Sequence, residues 1–194
     1  MSDIKRRLFT RPTIVITIVL IAVFAILLAL QGRPAWCKEG LGLWTDAWTR
    51  CTSQHLLDPY TLSHVLHGII FYWALVPFAT KLELHWRMIA ALVVEIGWEL
   101  LENSAWVIER YRQQTAALDY FGDSILNSVG DVIATVIGVA FAARVSWKIA
   151  LAVFIVSELW MLYVARDNLT LNIVMLLAPI EAIEEWQLRA FNPH

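Results

Sequence analysis

The chain has 194 residues, of which 59% are hydrophobic and 16% are Asp, Glu, Lys or Arg, where soluble domains carry about 25% charge. A mean hydropathy of +0.60 and a pI near 6.2, with a formal net charge of −2, exclude a disordered chain, argue against a soluble single-core domain and leave no basic footprint for nucleic acid. The ten Trp residues suit a membrane–water boundary.

Crossing the ~30 Å hydrocarbon layer takes about 20 mostly apolar residues in a helix, whose backbone groups are bonded internally. Five windows meet that requirement: 13–30, 62–79, 88–106, 124–143 and 147–164. They predict an all-α integral membrane protein in a single membrane domain, with the lipid bilayer as its partner. None alternates like a strand of an outer-membrane barrel.

Lys5, Arg6, Arg7 and Arg11 precede the first window and place the N-terminus in the cytoplasm by the positive-inside rule. The apolar run 14–30 exceeds a signal-peptide core and lacks a clear cleavage site after it, so it reads as a retained anchor. Alternation then puts 32–61 and 107–123 outside, with 81–87 and 144–148 inside. Lys and Arg divide eight inside to seven outside, so the N-terminal cluster carries the orientation. Trp86 and Trp147 fall at the inner boundary and Trp36 and Trp106 at the outer one, as an aromatic belt requires.

Cys37 and Cys51 both fall in the outer loop 32–61, where an oxidising periplasm permits a disulfide. Closing that loop is worth about 3 kcal/mol in the chain-entropy model. Two free thiols would require the opposite topology. Trp44 and Trp48 are expected to pack this loop on the membrane surface.

Beyond the fifth window, Arg166-Asp167-Asn168 offers a turn and a helix cap. The apolar stretch 169–180 is too short to cross and contains Asn172 and Pro179. Segment 168–190 is therefore expected to be interfacial or re-entrant, with Pro179 in the first turn of a helix through Glu181, Glu184, Glu185 and Gln187.

An ionisable residue at a membrane helix centre costs about 2.5–3.5 kcal/mol on insertion scales. Glu95, Glu99 and Glu102 in the third window share an arc of about 60° at 100° per residue, with Asn103 beside them. Asp123, Asn127, Gly130 and Asp131 share a face of about 100° in the fourth, and His64 and His67 lie about 60° apart in the second. At ~1.5 Å per residue, His64 and His67 lie about 4 and 9 Å below the outer end, Glu102 and Glu99 about 6 and 10 Å, and Asn127 and Asp131 about 5 and 11 Å. Glu95 and Glu158 fall deeper.

Five acids, Glu95, Glu99, Glu102, Asp131 and Glu158, lie inside the windows, and no Lys or Arg lies in any window interior, Lys148 being at the edge of the fifth. Only His64 and His67 can offset them from within. The imbalance calls for protonated carboxyls, a wet cavity or a bound cation. A divalent metal suits imidazole and carboxylate donors, with His64, His67, Asp131 and Asn127 as candidate ligands. Glu99 or Glu102 would act as base on water, and Arg110 or Arg112 would meet an anionic head group. The plainer alternatives are a His pair bonding its neighbouring helices, Asn127 and Gly130 as packing glue, and Asp123 as an N-cap.

Several strings resemble a family of bacterial inner-membrane proteins, mainly alphaproteobacterial, known as a domain of unknown function. They are Ser63-His64-Val65-Leu66-His67-Gly68, Glu95-Ile96-Gly97-Trp98-Glu99-Leu100-Leu101-Glu102-Asn103 and Arg110-Tyr111-Arg112. Asp119-Tyr120-Phe121-Gly122-Asp123-Ser124-Ile125-Leu126-Asn127-Ser128, Arg166-Asp167-Asn168-Leu169 and Pro179-Ile180-Glu181-Ala182-Ile183 complete the set. The resemblance implies a multi-pass plasma-membrane protein and no particular reaction. More distantly, Asp58, His64, Glu99, Arg112, Asp123, Asn127 and Gly130 are similar to the polar pattern of VanZ-like membrane proteins, which implies an envelope role. The chain departs from that pattern in lacking a Lys after Asp58 and in carrying Glu102-Asn103 where Glu and Gln are usual.

Three functions follow as expectations. One is a metal-assisted or acid–base enzyme acting on an envelope lipid or lipid-linked substrate from an outward-facing cavity. Another is a proton- or cation-linked transporter or binding protein using Glu95, Glu99 and Glu158. The third is a structural or assembly factor of the envelope, whose polar stripes knit helices together. No Ser/His/Asp order or phosphate-cradling Gly loop specifies a reaction.

Overall fold

The computed structural model describes residues 8–114 and 120–189. Lys5, Arg6 and Arg7, on which the orientation rests, lie outside the described residues, as do Asp119 and residue 190. The described chain is helical, with one isolated bridge between Trp44 and Leu57.

Helix α1 (Arg11–Leu30) opens on a reciprocal cap between Thr10 and Thr13, with Pro12 in its first turn where a missing N–H costs nothing. It buries Phe24 and Leu28 against Leu92 and Val132 and leaves Val15, Ile18, Val19 and Ile26 exposed. Helix α2 (Thr61–Ala74) starts where Asp58 accepts the backbone N–H groups of Tyr60 (2.8 Å) and Thr61 (3.2 Å). It stops before a 3-10 turn, Val76–Phe78, that contains Pro77. Helices α3 (Leu84–Glu102), α4 (Ala105–Gln114), α5 (Ile125–Ala142), α6 (Trp147–Ala165), α7 (Leu169–Leu177) and α8 (Glu181–Leu188) follow.

Among the described residues three helices, not five, are long and apolar enough to cross a membrane: α1, α5 and α6, with mean hydropathies of 3.2, 1.8 and 1.8. The window 62–79 overran its helix because apolarity continues through Pro77 while the hydrogen-bond ladder does not. The resulting 14-residue α2 is about 21 Å long at ~1.5 Å per residue. Helix α3 has 19 residues but carries Arg87, Glu95, Glu99 and Glu102, and the chain turns at Asn103 into α4 instead of running on to 106.

Among the described residues, helices α2 and α5 form the most extensive helix pairing. A Cβ on Gly68 would meet the Thr135 carbonyl oxygen at 2.1 Å, and one on Gly138 would meet the Val65 carbonyl oxygen at 2.1 Å. The two backbones touch there, and the Thr135 hydroxyl donates to the His64 carbonyl at 2.9 Å. This is the close approach that small residues allow in membrane helix pairs. One and two turns along, it sets His64 opposite Asp131.

The loop before α2 is closed by a Cys37–Cys51 disulfide. It lies over the start of α5, with the Ser124 N–H donating to the Ser53 carbonyl at 2.9 Å. The Trp48 indole N–H donates to the Ala165 carbonyl at 2.9 Å, so this Trp ties the loop to the end of α6. Trp44 remains exposed and donates to Asp46. Across the described residues, large apolar side chains face outward while several Glu, Asp and His face inward.

Candidate functional site

Three helices bring a cluster of ionisable groups together beneath the disulfide loop. His64 comes from the first turn of α2, Glu95 and Glu99 from successive turns of α3, and Asp131 from the second turn of α5. Their exposures are 7%, 0%, 0% and 4%. Nothing in the sequence pattern marks this as a sealed arrangement. The outward-facing cavity expected of these residues is closed in this structure.

Two imidazoles share Glu95. His64 Nδ1 lies 2.6 Å from Glu95 Oε1, and His67 Nδ1 lies 3.2 and 3.0 Å from Oε1 and Oε2. His64 Nδ1 is also 3.3 Å from Glu99 Oε1, while Nε2 points toward Asp131 Oδ2 at 3.8 Å. His67 is framed by Phe71 and Trp98 at ring distances of 5.7 and 6.3 Å. Glu95 thus sits at the centre of the group, whereas depth along the helix placed it below the His level. Among the described residues, both carboxylate oxygens of Glu99 and Oδ1 of Asp131 are buried with no hydrogen-bond partner. Three carboxyl groups face two imidazoles, so with every carboxyl ionised even two imidazolium rings leave one negative charge unmatched in a low-dielectric site.

The polar network continues toward the loop end. The Tyr111 hydroxyl lies 2.9 Å from Glu102 Oε1 and 2.7 Å from Asn172 Oδ1, linking α3, α4 and α7. Asn103 and Asp123 bond reciprocally: the Asp123 N–H donates to Asn103 Oδ1 at 2.7 Å, and Asn103 Nδ2 donates to Asp123 Oδ2 at 3.0 Å. The Tyr120 hydroxyl donates to the other Asp123 oxygen at 3.0 Å. Burial raises the Asp123 carboxyl above its ordinary pKa, although the Asn103 and Tyr120 bonds work against it. Burial also raises Asp58, against the pull of the backbone N–H groups it accepts. In the other direction from Glu95 an apolar layer of Met88, Ala91, Leu92 and Val139 comes first, and His85 and Arg87 are buried beyond it at the start of α3.

Several residues expected at the site lie elsewhere. Asn127 Nδ2 donates to the His55 carbonyl at 2.9 Å and its backbone N–H to Ser124 Oγ at 3.1 Å, so it staples the loop to α5. Glu158 caps α7, accepting the Leu169 and Thr170 N–H groups at 3.0 Å each and the Thr170 hydroxyl. The Arg110 side chain donates to the Leu176 carbonyl at 2.9 Å. Arg112 lies 5.2 Å over the Phe121 ring and 3.7 Å from Glu109. Among the described residues neither arginine bonds to the cluster. His55 lies near Cys37 and Cys51, but sulfurs joined in a disulfide offer no thiolate to a metal.

Sequence reasoning missed Arg33, which donates to the Asp123 carbonyl at 3.0 Å and to the Phe121 carbonyl. It also missed Tyr111 and Asn172 as a bridge, because their separation of 61 positions carries no periodic signal. Asn103 directly after Glu102 was the one visible clue to the Asp123 pair.

The sequence profile described as "Protein of unknown function (DUF2585)" matches residues 27–189. A UPF0314 protein of Brucella anthropi is 47% identical over 89% of this chain and 88% of its own length. A UPF0314 protein of Paracoccus denitrificans is 44% identical over 88% of this chain and 90% of its own. One from Rhizobium etli is 48% identical over 81% and 82%. No solved structure matches the chain.

Proposed function

The chain belongs to the DUF2585 family, and we propose that it is a multi-pass inner-membrane protein whose His64–Glu95–Glu99–Asp131 cluster is an acid–base centre serving an envelope lipid or lipid-linked substrate. The membrane reading is supported by the inside-out distribution of polarity. Val15, Ile18, Val156 and Leu159 are exposed while Glu95 and Glu99 are fully buried, the reverse of what water selects. Helices α2 and α3 then lie in the same layer as α1, α5 and α6, with the α3 acids turned toward α2 and α5. Alternation from a cytoplasmic N-terminus puts the disulfide loop outside.

The observation that carries the acid–base reading is the one-sided network. On the loop side of Glu95 and Glu99, Glu102 continues through Tyr111 to Asn172, while on the other side the apolar layer of Met88, Ala91 and Val139 separates the cluster from buried His85 and Arg87. A transporter needs a polar path through both halves, so a polar network interrupted on one side favours chemistry or binding at the outer leaflet. Glu99, fully buried and with no hydrogen bond to either oxygen among the described residues, is the group best placed to take a proton.

The test is mass-spectrometric analysis of alphaproteobacterial envelope lipids incubated with the protein in nanodiscs. Turnover of one lipid class is expected with wild type and not with Glu99→Gln. Absence of turnover of every class by folded wild-type protein refutes the reading. Cysteine-accessibility labelling from the outer face, with the loop 32–61 unreachable, refutes the orientation.

A further inference from the structure

We propose that His64, Glu99 and Asp131 bind one divalent transition-metal ion, with Glu95 as the group that orients His64. The proposal rests on the functional reading above only for its location; it adds the identity of the cation and the donor set. One donor atom from each of the three residues lies within 4.8 Å of the others. Metal–ligand bonds of about 2.1 Å hold tetrahedral donors about 3.4 Å apart, so closure takes side-chain shifts of about 1 Å.

Orphaned atoms supply an independent indication. Both oxygens of Glu99 and Oδ1 of Asp131 are buried without a hydrogen-bond partner among the described residues. A buried charged oxygen without a partner is costly, and a cation held by one oxygen of each carboxylate offsets both charges. Charge points the same way. Three carboxylates outnumber the two imidazoles, and a dication removes the excess.

The second shell is already in place. Glu95 Oε1 holds His64 Nδ1 at 2.6 Å, which turns Nε2 toward Asp131. A carboxylate behind the imidazole of a metal ligand fixes its tautomer and raises its basicity. His67 in turn anchors Glu95 through both oxygens. One imidazole and two carboxylates suit zinc, manganese or iron rather than calcium, which prefers oxygen alone. Three protein ligands leave a position open for water, as catalytic sites do. The sequence-based ligand set is thereby revised: Asn127 leaves it, Glu99 enters it, and His67 moves to the supporting layer.

The experiment uses full-length protein in detergent, purified without a polyhistidine tag, with its disulfide intact and stripped by chelator. Zinc titration calorimetry and the visible spectrum of added cobalt(II) are read together. One equivalent per chain is expected, lost in Glu99→Gln and in Asp131→Asn, and weakened about 10–100-fold in Glu95→Gln. Asn127→Ala keeps the stoichiometry. Helical circular dichroism confirms that each variant is folded, and wild type alone decides the matter if a variant is not. No zinc uptake by folded wild type, or uptake retained in both Glu99→Gln and Asp131→Asn, overturns the proposal. Zinc binding with lipid turnover insensitive to Glu99→Gln removes the acid–base reading and leaves the metal site standing. Glu99-dependent turnover without zinc uptake does the opposite.

Discussion

Replacing Asp167 by Asn removes a pH dependence of stability at the α6–α7–α8 corner. Asp167 is 9% exposed and accepts the Asn168 N–H at 2.9 Å. The side chains of Asn172 and Gln187 also bond to it, while the charge of Glu158 opposes its ionisation. Burial is the largest influence and raises its pKa from 3.8 to about 7. The folded carboxyl therefore keeps its proton through a range in which the unfolded one has lost it. Stability falls as pH rises from about 4 to about 7 and is level above that. At about 1.4 kcal/mol per pH unit, the loss reaches about 4 kcal/mol at neutral pH. Asn retains the acceptor for Asn168 and cannot ionise. Wild type and Asp167→Asn should be nearly equal in stability at pH 4, with the variant ahead above pH 7. Asp58 and Asp123 are also raised by burial and tilt both curves alike, so the difference between them isolates Asp167. The assay is hydrogen exchange of the segment 166–189 in detergent between pH 5 and 8, corrected for intrinsic rates. Parallel profiles for the two proteins refute the reasoning.

Gly68→Ala should force α2 and α5 apart, because the added Cβ meets the Thr135 carbonyl at 2.1 Å and helix backbone cannot yield locally. A loss of about 1–3 kcal/mol in thermal unfolding is expected, and Glu99-dependent turnover should fall with it as His64 moves from Asp131; an unchanged melting temperature contradicts this. Glu158→Gln removes one charged acceptor from the start of α7 and should cost about 1–2 kcal/mol, seen as faster exchange at residues 169–172. Zinc uptake should be unaffected, and its loss would put Glu158 back at the site.

Much of the helical architecture was legible because hydropathy and helical periodicity are local properties. The runs that became α1, α5 and α6 declare themselves by length and composition, and the reason is the physics of burying a backbone away from water. Windows 62–79 and 88–106 differ in extent from α2 and α3 for equally local reasons: Pro77 ends the ladder although apolarity continues past it, and the α3 acids make that helix too polar to qualify alone. The polar stripes were also visible, since Glu95, Glu99 and Glu102 share one face at helical spacing.

Sorting those stripes into working and structural residues required the tertiary structure. Glu158 and Glu99 look alike in sequence, as acids inside apolar runs. Glu158 meets the N-terminus of α7, whose N–H groups occupy both of its oxygens, while neither oxygen of Glu99 accepts a hydrogen bond among the described residues and its Oε1 lies 3.3 Å from His64 Nδ1. Asn127 and Asp131 lie one turn apart on the same helix, yet one staples a loop and the other faces His64. Sequence by itself determined that this chain carries a buried excess of acids in apolar helices, because charge and hydropathy are properties of residues. Which acids share a site was decided by the Gly68–Gly138 contact between α2 and α5, because the distance and rotation between helices exist only once their backbones have packed.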